Sequence, residues 1–139
     1  MNPSVRIIAP APLAAVGERL GFSPAVLVNG VLHVSGQVGI DLRTGRIPEG
    51  LGEQLEHLFD ALELVLAEAG ASLADVFSLT SYHVGDMSAH VGAFVAARAR
   101  RMTPPYPAWT SVGVTALAAP GLLVEVTALA LAGPAAGGR

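Results

Sequence analysis

Glu125 is the side chain best placed to do chemistry. It is the only charged residue between Arg101 and Arg139, and it sits in the apolar run LLVEVTALALA. Strand alternation puts Leu123, Glu125 and Thr127 on one face and Val124, Val126 and Ala128 on the other. A carboxylate taken out of water is costly unless it is paired or hydrogen-bonded. Its pKa rises, which suits a general acid or base. Glu125 is therefore either a pocket carboxylate or a structural group, in an ion pair or at a wet strand edge.

A second candidate lies in YPAWTSVGV, residues 106–114, which holds the only tryptophan of the chain. Trp109 shares a strand face with Ser111 and Gly113; Val112 and Val114 take the other face, which is expected to be the core side. The indole either packs or presents an aromatic face to a ligand. The four histidines, His33, His57, His83 and His90, include no i, i+3 or i, i+4 pair on a helix, so none has metal-ligand spacing. No P-loop and no G-x-S-x-G elbow occurs, and SGQVG is too short for a dinucleotide fingerprint. Arg98, Arg100 and Arg101 crowd the end of a short helical stripe. They are either a solvated helix end favoured by the dipole or an anion-binding rim.

The elements that must hold these residues follow from periodicity. AVLVNGVLHVSG reads as two strands around Asn29-Gly30, the pair preferred in a type I′ hairpin turn. GIDLRTGRIPEG is a polar loop. Leu51, Leu55, Leu58, Phe59, Leu62 and Leu66 repeat on one helical face, which predicts a helix over 51–69 with Gly70 just beyond its end. DVFSLTSYHV reads as a strand, followed by Asp86 as N-cap of a second helix marked by Met87, Val91, Phe94 and Val95. Strands at about 108–115 and 122–131 complete an α+β domain over 1–132, a mostly antiparallel sheet with two helices on one face. The tail 133–139, GPAAGGR, is expected to be disordered.

Composition narrows the classes. The chain has 139 residues, only 14% of them charged, and a mean hydropathy of +0.55. A domain this short buries a limited share of its surface, so part of the apolar excess is expected to be hidden between subunits. The net charge of −3 offers no electrostatic footprint for nucleic acid. The absence of cysteine removes disulfides, thiolate metal sites and cysteine nucleophiles. Leu20–Ile40 and Met102–Val124 are free of charge, but prolines and turn residues interrupt both, so neither reads as a membrane span. No signal peptide is visible at MNPSVRIIAPAP, and a cytoplasmic protein is expected.

Taken together, several segments resemble the Rid (YjgF, reactive intermediate deaminase) family. They are Ser35-Gly36-Gln37 after a strand, the Thr44-Gly45 turn, Gln54 in the helix, Ala69-Gly70 before Asp75-Val76, YHVGDM, PAWTSVGV and LLVEVTALA. The resemblance covers about residues 20–131. It implies a chorismate-mutase-like fold, a cofactor-free homotrimer and pockets between subunits. It also implies hydrolysis of imines and enamines such as 2-aminoacrylate. Some relatives carry the older names L-PSP endoribonuclease and translation inhibitor. The deaminases read Pro-Ala-Arg-Ser where this chain reads Pro107-Ala108-Trp109-Thr110, and their arginine grips the substrate carboxylate. Indole cannot replace that bidentate grip. Phe22 matches a pocket tyrosine and so lacks its hydroxyl, and Phe94 falls near a family asparagine. Ser35, Gly36 and Glu125 match pocket positions, and Ser111 lies where relatives carry a small polar residue or cysteine. The expected site is thus catalytic Glu125 with Trp109, Phe22, Ser35, Gly36, Ser111 and Phe94 around a small-molecule ligand. An arginine of a neighbouring subunit, Arg43, Arg46 or Arg100, is the alternative source of a cation.

Overall fold

Six strands build one sheet: β1 (Val5–Ile8), β2 (Ala25–Val28), β3 (Val31–Val38), β4 (Val76–His83), β5 (Ala108–Gly113) and β6 (Val124–Leu131). Their spatial order is β1-β2-β3-β6-β4-β5. All neighbours are antiparallel except β4 and β5. The protein's structure, a computed structural model, describes residues 1–132; the tail 133–139 lies outside the described residues. Asn29 and Gly30 adopt φ of 50° and 79° and close the β2–β3 hairpin with Val28 opposite Val31, as the sequence predicts.

Three helices accompany the sheet: α1 (Ala11–Leu20), α2 (Leu51–Glu68) and α3 (Met87–Ala99). The last two are the helices expected from periodicity. At the end of α2, the Ala71 amide donates to the Leu66 carbonyl and the Gly70 amide to Ala67, a Schellman closure. Asp86 caps α3 by accepting the Ser88 amide at 3.0 Å. The first helix and the first strand are additions to the expected set. α1 is entered through Pro10 and Pro12 and buries Leu13 and Gly17; its stripe, Leu13, Val16 and Leu20, is only two turns long and was passed over in the sequence. Its turn at Gly21 delivers Phe22 to the start of the hairpin.

The sheet has one covered and one open face. Leu32, Val34, Leu79, Val124, Val126, Ala128 and Ala130 are buried beneath Leu55, Leu58, Phe59, Leu62, Val65 and Leu66 of α2. The intervening residues, including Thr80, Tyr82, Glu125, Thr127 and Leu129, are only partly buried on the open face. Registers align Tyr82 with both Glu125 and Val112, so Val112 also belongs to the open face, where it is 37% exposed. The expected orientation of β5 is therefore corrected: Trp109 and Ser111 face the helices, and Val112 faces away. The cause is the parallel pairing that matches Trp109 to Leu79 and Ser111 to Ser81.

The arginine cluster divides. Arg101 pairs with Glu56, Asp60 and Glu63, and Arg100 with Glu56, tying α3 to α2. These carboxylates hold the Arg101 guanidinium above its ordinary pKa against the opposing effect of burial. No helix of the described residues is long and apolar enough to cross a membrane.

Candidate functional site

The predicted site residues fall into two groups on opposite sides of the sheet. The first surrounds Glu125. Between Val34, opposite Ala128, and Gln37, opposite Val126, two residues of β3 face the single Thr127 of β6. This bulge consists of Ser35 and Gly36. Bulges re-aim side chains and recur beside functional sites. Gly36 lacks the atom that would fill the space taken by the Glu125 carboxyl: a Cβ there would lie only 2.7 Å from Glu125 Cδ. The Ser35 hydroxyl donates to the Ser23 carbonyl at 2.6 Å, joining the bulge to the segment that begins at Phe22, itself 42% exposed.

Glu125 is half-buried, and among the described residues its carboxylate makes no hydrogen bond or ion pair. Burial pushes its pKa up from the ordinary carboxylate range. Its strand neighbours are Val38 and Tyr82. Gln54 fixes the approach to it. This fully buried amide donates to the carbonyls of Pro48 at 2.7 Å and Gly121 at 2.8 Å, and accepts the Leu123 amide at 2.9 Å. One side chain of α2 thereby pins the loop that leads into β6, two residues before Glu125.

The second group lies between β5 and α3. Trp109 stacks on Phe94 with ring centroids 5.0 Å apart and planes 17° from parallel. Its N–H donates to Ser81 Oγ at 2.8 Å. Ser81 Oγ also lies 2.7 Å from His83 Nε2, and His83 Nδ1 lies 3.3 Å from His90 Nδ1. An indole only donates, so Ser81 Oγ accepts from Trp109 and shares a second hydrogen bond with His83 Nε2, while His83 Nδ1 faces His90 Nδ1. Burial, with His90 beside it, lowers the His83 pKa and keeps the ring neutral. Ser81 and His83 are at most 1% exposed.

This geometry corrects one expectation. Phe94 is 0% exposed and lies against Phe59 and Trp109, so within this chain it is a core residue. Trp109 is partly buried, with its ring stacked on Phe94 and its sole donor given to Ser81. Ser111, opposite Ser81, shares its face. The Trp109–Ser81–His83–His90 chain, with its last three members buried, was not anticipated. The alternating Ser81 and His83 in LTSYH were its only signal, because the partners are brought together by non-local pairing. The possible cations are also placed: Arg43 pairs with Asp41 at 3.7 Å and Arg100 with Glu56. Among the described residues no cluster of three or more His, Asp or Glu could hold a metal ion.

The endoribonuclease L-PSP family profile matches residues 12–132. The chain belongs to this family, known also as Rid or YjgF. Among its Rid relatives, the RutC family protein YjgH of Escherichia coli is 35% identical over 108 residues, covering 77% of this chain and 81% of the relative. The 2-iminobutanoate/2-iminopropanoate deaminase of Capra hircus is 31% identical over 133 residues, covering 93% and 91%. The solved structure of protein YJGH superposes with a TM-score of 0.82 at 30% identity, over 94% of this chain and 98% of that one. Rv2704 of Mycobacterium tuberculosis, described as a YjgF/YER057c/UK114 family member, gives 0.78 at 29% identity over 92% and 99%. The Rid fold and the α+β class expected from the sequence are thus shared with proteins of known structure.

Proposed function

We propose that this Rid protein acts on an imine, an enamine or a related metabolite, by hydrolytic deamination or tautomerisation, with Glu125 as its acid–base group. The observation that carries the reading is the Glu125 carboxylate: half-buried, without a hydrogen-bond or ion-pair partner among the described residues, raised in pKa and set against the bare backbone of Gly36. A base with a raised pKa takes a proton from water more effectively when ionised. In hydrolysis it takes a proton from water as the oxygen attacks the C=N carbon. It returns that proton to the nitrogen, giving a carbinolamine, and then passes the hydroxyl proton to the nitrogen as the C–N bond breaks, so that ammonia leaves and the carbon keeps a C=O. In tautomerisation it moves a proton between carbon and nitrogen. Ser35, Gly36 and the exposed ring of Phe22 supply the surrounding surface. The relatives named as imine deaminases support the reaction class.

The site is proposed to close at the interface of a homotrimer in the cytoplasm. In that assembly the open sheet face, with Val112 and Leu131 exposed at 37% and 59%, is covered by neighbours. Trp109 stands where the deaminases carry their carboxylate-gripping arginine, so the protein is not expected to be an efficient 2-aminoacrylate deaminase. The test is ammonia release from a panel of imines made in situ by an amino-acid oxidase. Acceleration lost in Glu125→Gln supports the proposal, and full acceleration by that variant refutes it.

A second reading is a non-catalytic ligand-binding trimer, favoured by the withdrawal of Phe94 and Trp109 into packing. Saturable binding without turnover distinguishes it. An endoribonuclease role is the weakest: Arg100 and Arg101 are neutralised by carboxylates, and the net charge is −3.

A further inference from the structure

Val38, Glu125, Tyr82 and Val112 form one row across β3, β6, β4 and β5 on the open face of the sheet. Among the strand residues of that face, Glu125 is the only formal charge at pH 7. Arg6, the one arginine in a strand, is registered with Leu27, which pairs in turn with the fully buried Leu32, so it belongs to the covered side. Arg43, Arg100 and Arg101 are engaged by Asp41, Glu56, Asp60 and Glu63. Arg98 lies against Tyr106 and Trp109 on the helix side. The other titratable side chains of the open strands are Tyr82, and His33 between Val26 and Leu129. An anion arriving over this row meets a carboxylate and no strand arginine.

Tyr82 stands directly opposite Glu125 and is partly buried. Side chains opposed in this way have Cβ atoms about 5 Å apart, so one small ligand reaches both. A half-buried carboxylate without a partner has given up hydration for nothing. A cation beside it offsets that cost, and an aromatic ring adds to the hold. We infer that Glu125 and Tyr82 form a subsite for a planar organic cation, and that the substrate is a protonated imine without a carboxylate. Such a cation presents its N–H groups in the plane of the sp2 carbon, which suits two charge-assisted bonds to one carboxylate. Its carbon is more electrophilic than that of the neutral imine, and its charge keeps Glu125 ionised for taking a proton from water. The inference rests on the Glu125 reading and adds to it the charge of the substrate.

The probe is benzamidine, a stable planar amidinium, titrated calorimetrically into the full chain at pH 7. Benzamide is its uncharged match and benzoate its anionic one. A saturable heat with benzamidine alone is the expected result. Its affinity should fall at least about tenfold in Glu125→Gln, as for one lost charge-assisted bond. In Tyr82→Leu it should fall about two- to fivefold, the scale of one cation–π contact. Glu125→Asp keeps the charge but withdraws it by one methylene, so it covers the case in which Glu125→Gln does not fold; it should bind benzamidine more weakly and still exclude benzoate. No saturable benzamidine heat, equal binding of benzamide, tighter binding of benzoate, or unchanged affinity in any of these variants that folds overturns the assignment. Turnover separates it from the acid–base reading. Imines made by an amine oxidase, which carry no carboxylate, should release ammonia faster than those made by an amino-acid oxidase. The reverse order, with rates still dependent on Glu125, overturns the cation subsite and leaves the acid–base role. Benzamidine binding lost in Glu125→Gln, with neither set of imines accelerated, upholds the subsite and removes that role.

Discussion

Glu125 and Gly36 form a matched pair at the residue scale. The carboxyl occupies the space that any Cβ at 36 would take. Gly36→Ala should therefore displace the carboxyl and reduce turnover at least about tenfold, without changing the assembly. A folded Gly36→Ala enzyme of full activity would contradict the arrangement. The pH argument has a definite sign. A folded-state pKa raised above the unfolded value favours the fold at low pH, and that contribution is lost as pH rises through the raised value. At pH 7 the Glu125 charge is therefore a burden on stability. Glu125→Gln should melt at or above the temperature of the unaltered protein while losing activity. A lower melting temperature at pH 7 would mark Glu125 as a structural ion-pair partner.

The seam between β4, β5 and α3 behaves as one unit. Trp109→Phe keeps a ring but removes the bond to Ser81, with an expected loss of about 1 kcal/mol. Trp109→Ala also removes the stacking on Phe94, and because the indole is only partly buried the loss should lie near the lower end of about 3–5 kcal/mol. Denaturant unfolding measures both, and an unaffected Trp109→Ala would contradict the packing role. His83 adds a pH dependence. Its depressed pKa gives stability that is present above the ordinary histidine value and lost as pH falls below it towards the folded value. Melting temperatures in a Glu125→Gln background, free of the opposing carboxylate, should fall between pH 7 and pH 5. Much of this seam was hidden from the sequence. The hairpin at Asn29-Gly30, the stripe of α2 and the alternation around Glu125 are local patterns and were readable. The face taken by Trp109 depends on its parallel pairing with β4, 30 residues earlier in register at Leu79. Phe94 lay on a helical stripe that alone could not tell a core contact from a ligand contact. The stripe of α1, Leu13, Val16 and Leu20, was too short to stand out beside the prolines that precede it.

For the whole molecule, the open face of the sheet and the bare environment of Glu125 converge on assembly. Light scattering at micromolar concentration should give the mass of a trimer, and a clean monomer would remove the intersubunit pocket. Pyruvate release from enzymatically generated 2-aminoacrylate should be at least about a hundredfold slower than for an arginine-bearing relative, the scale of losing one preorganised charge contact. The central claim is that Glu125 performs the proton transfer. It is tested most directly by the pH–rate profile of imine hydrolysis for the unaltered protein and Glu125→Gln, with trimer mass checked for both. The account predicts a rate governed by one ionisation above the ordinary carboxylate range, absent from a trimeric Glu125→Gln. An identical profile in that variant would contradict it.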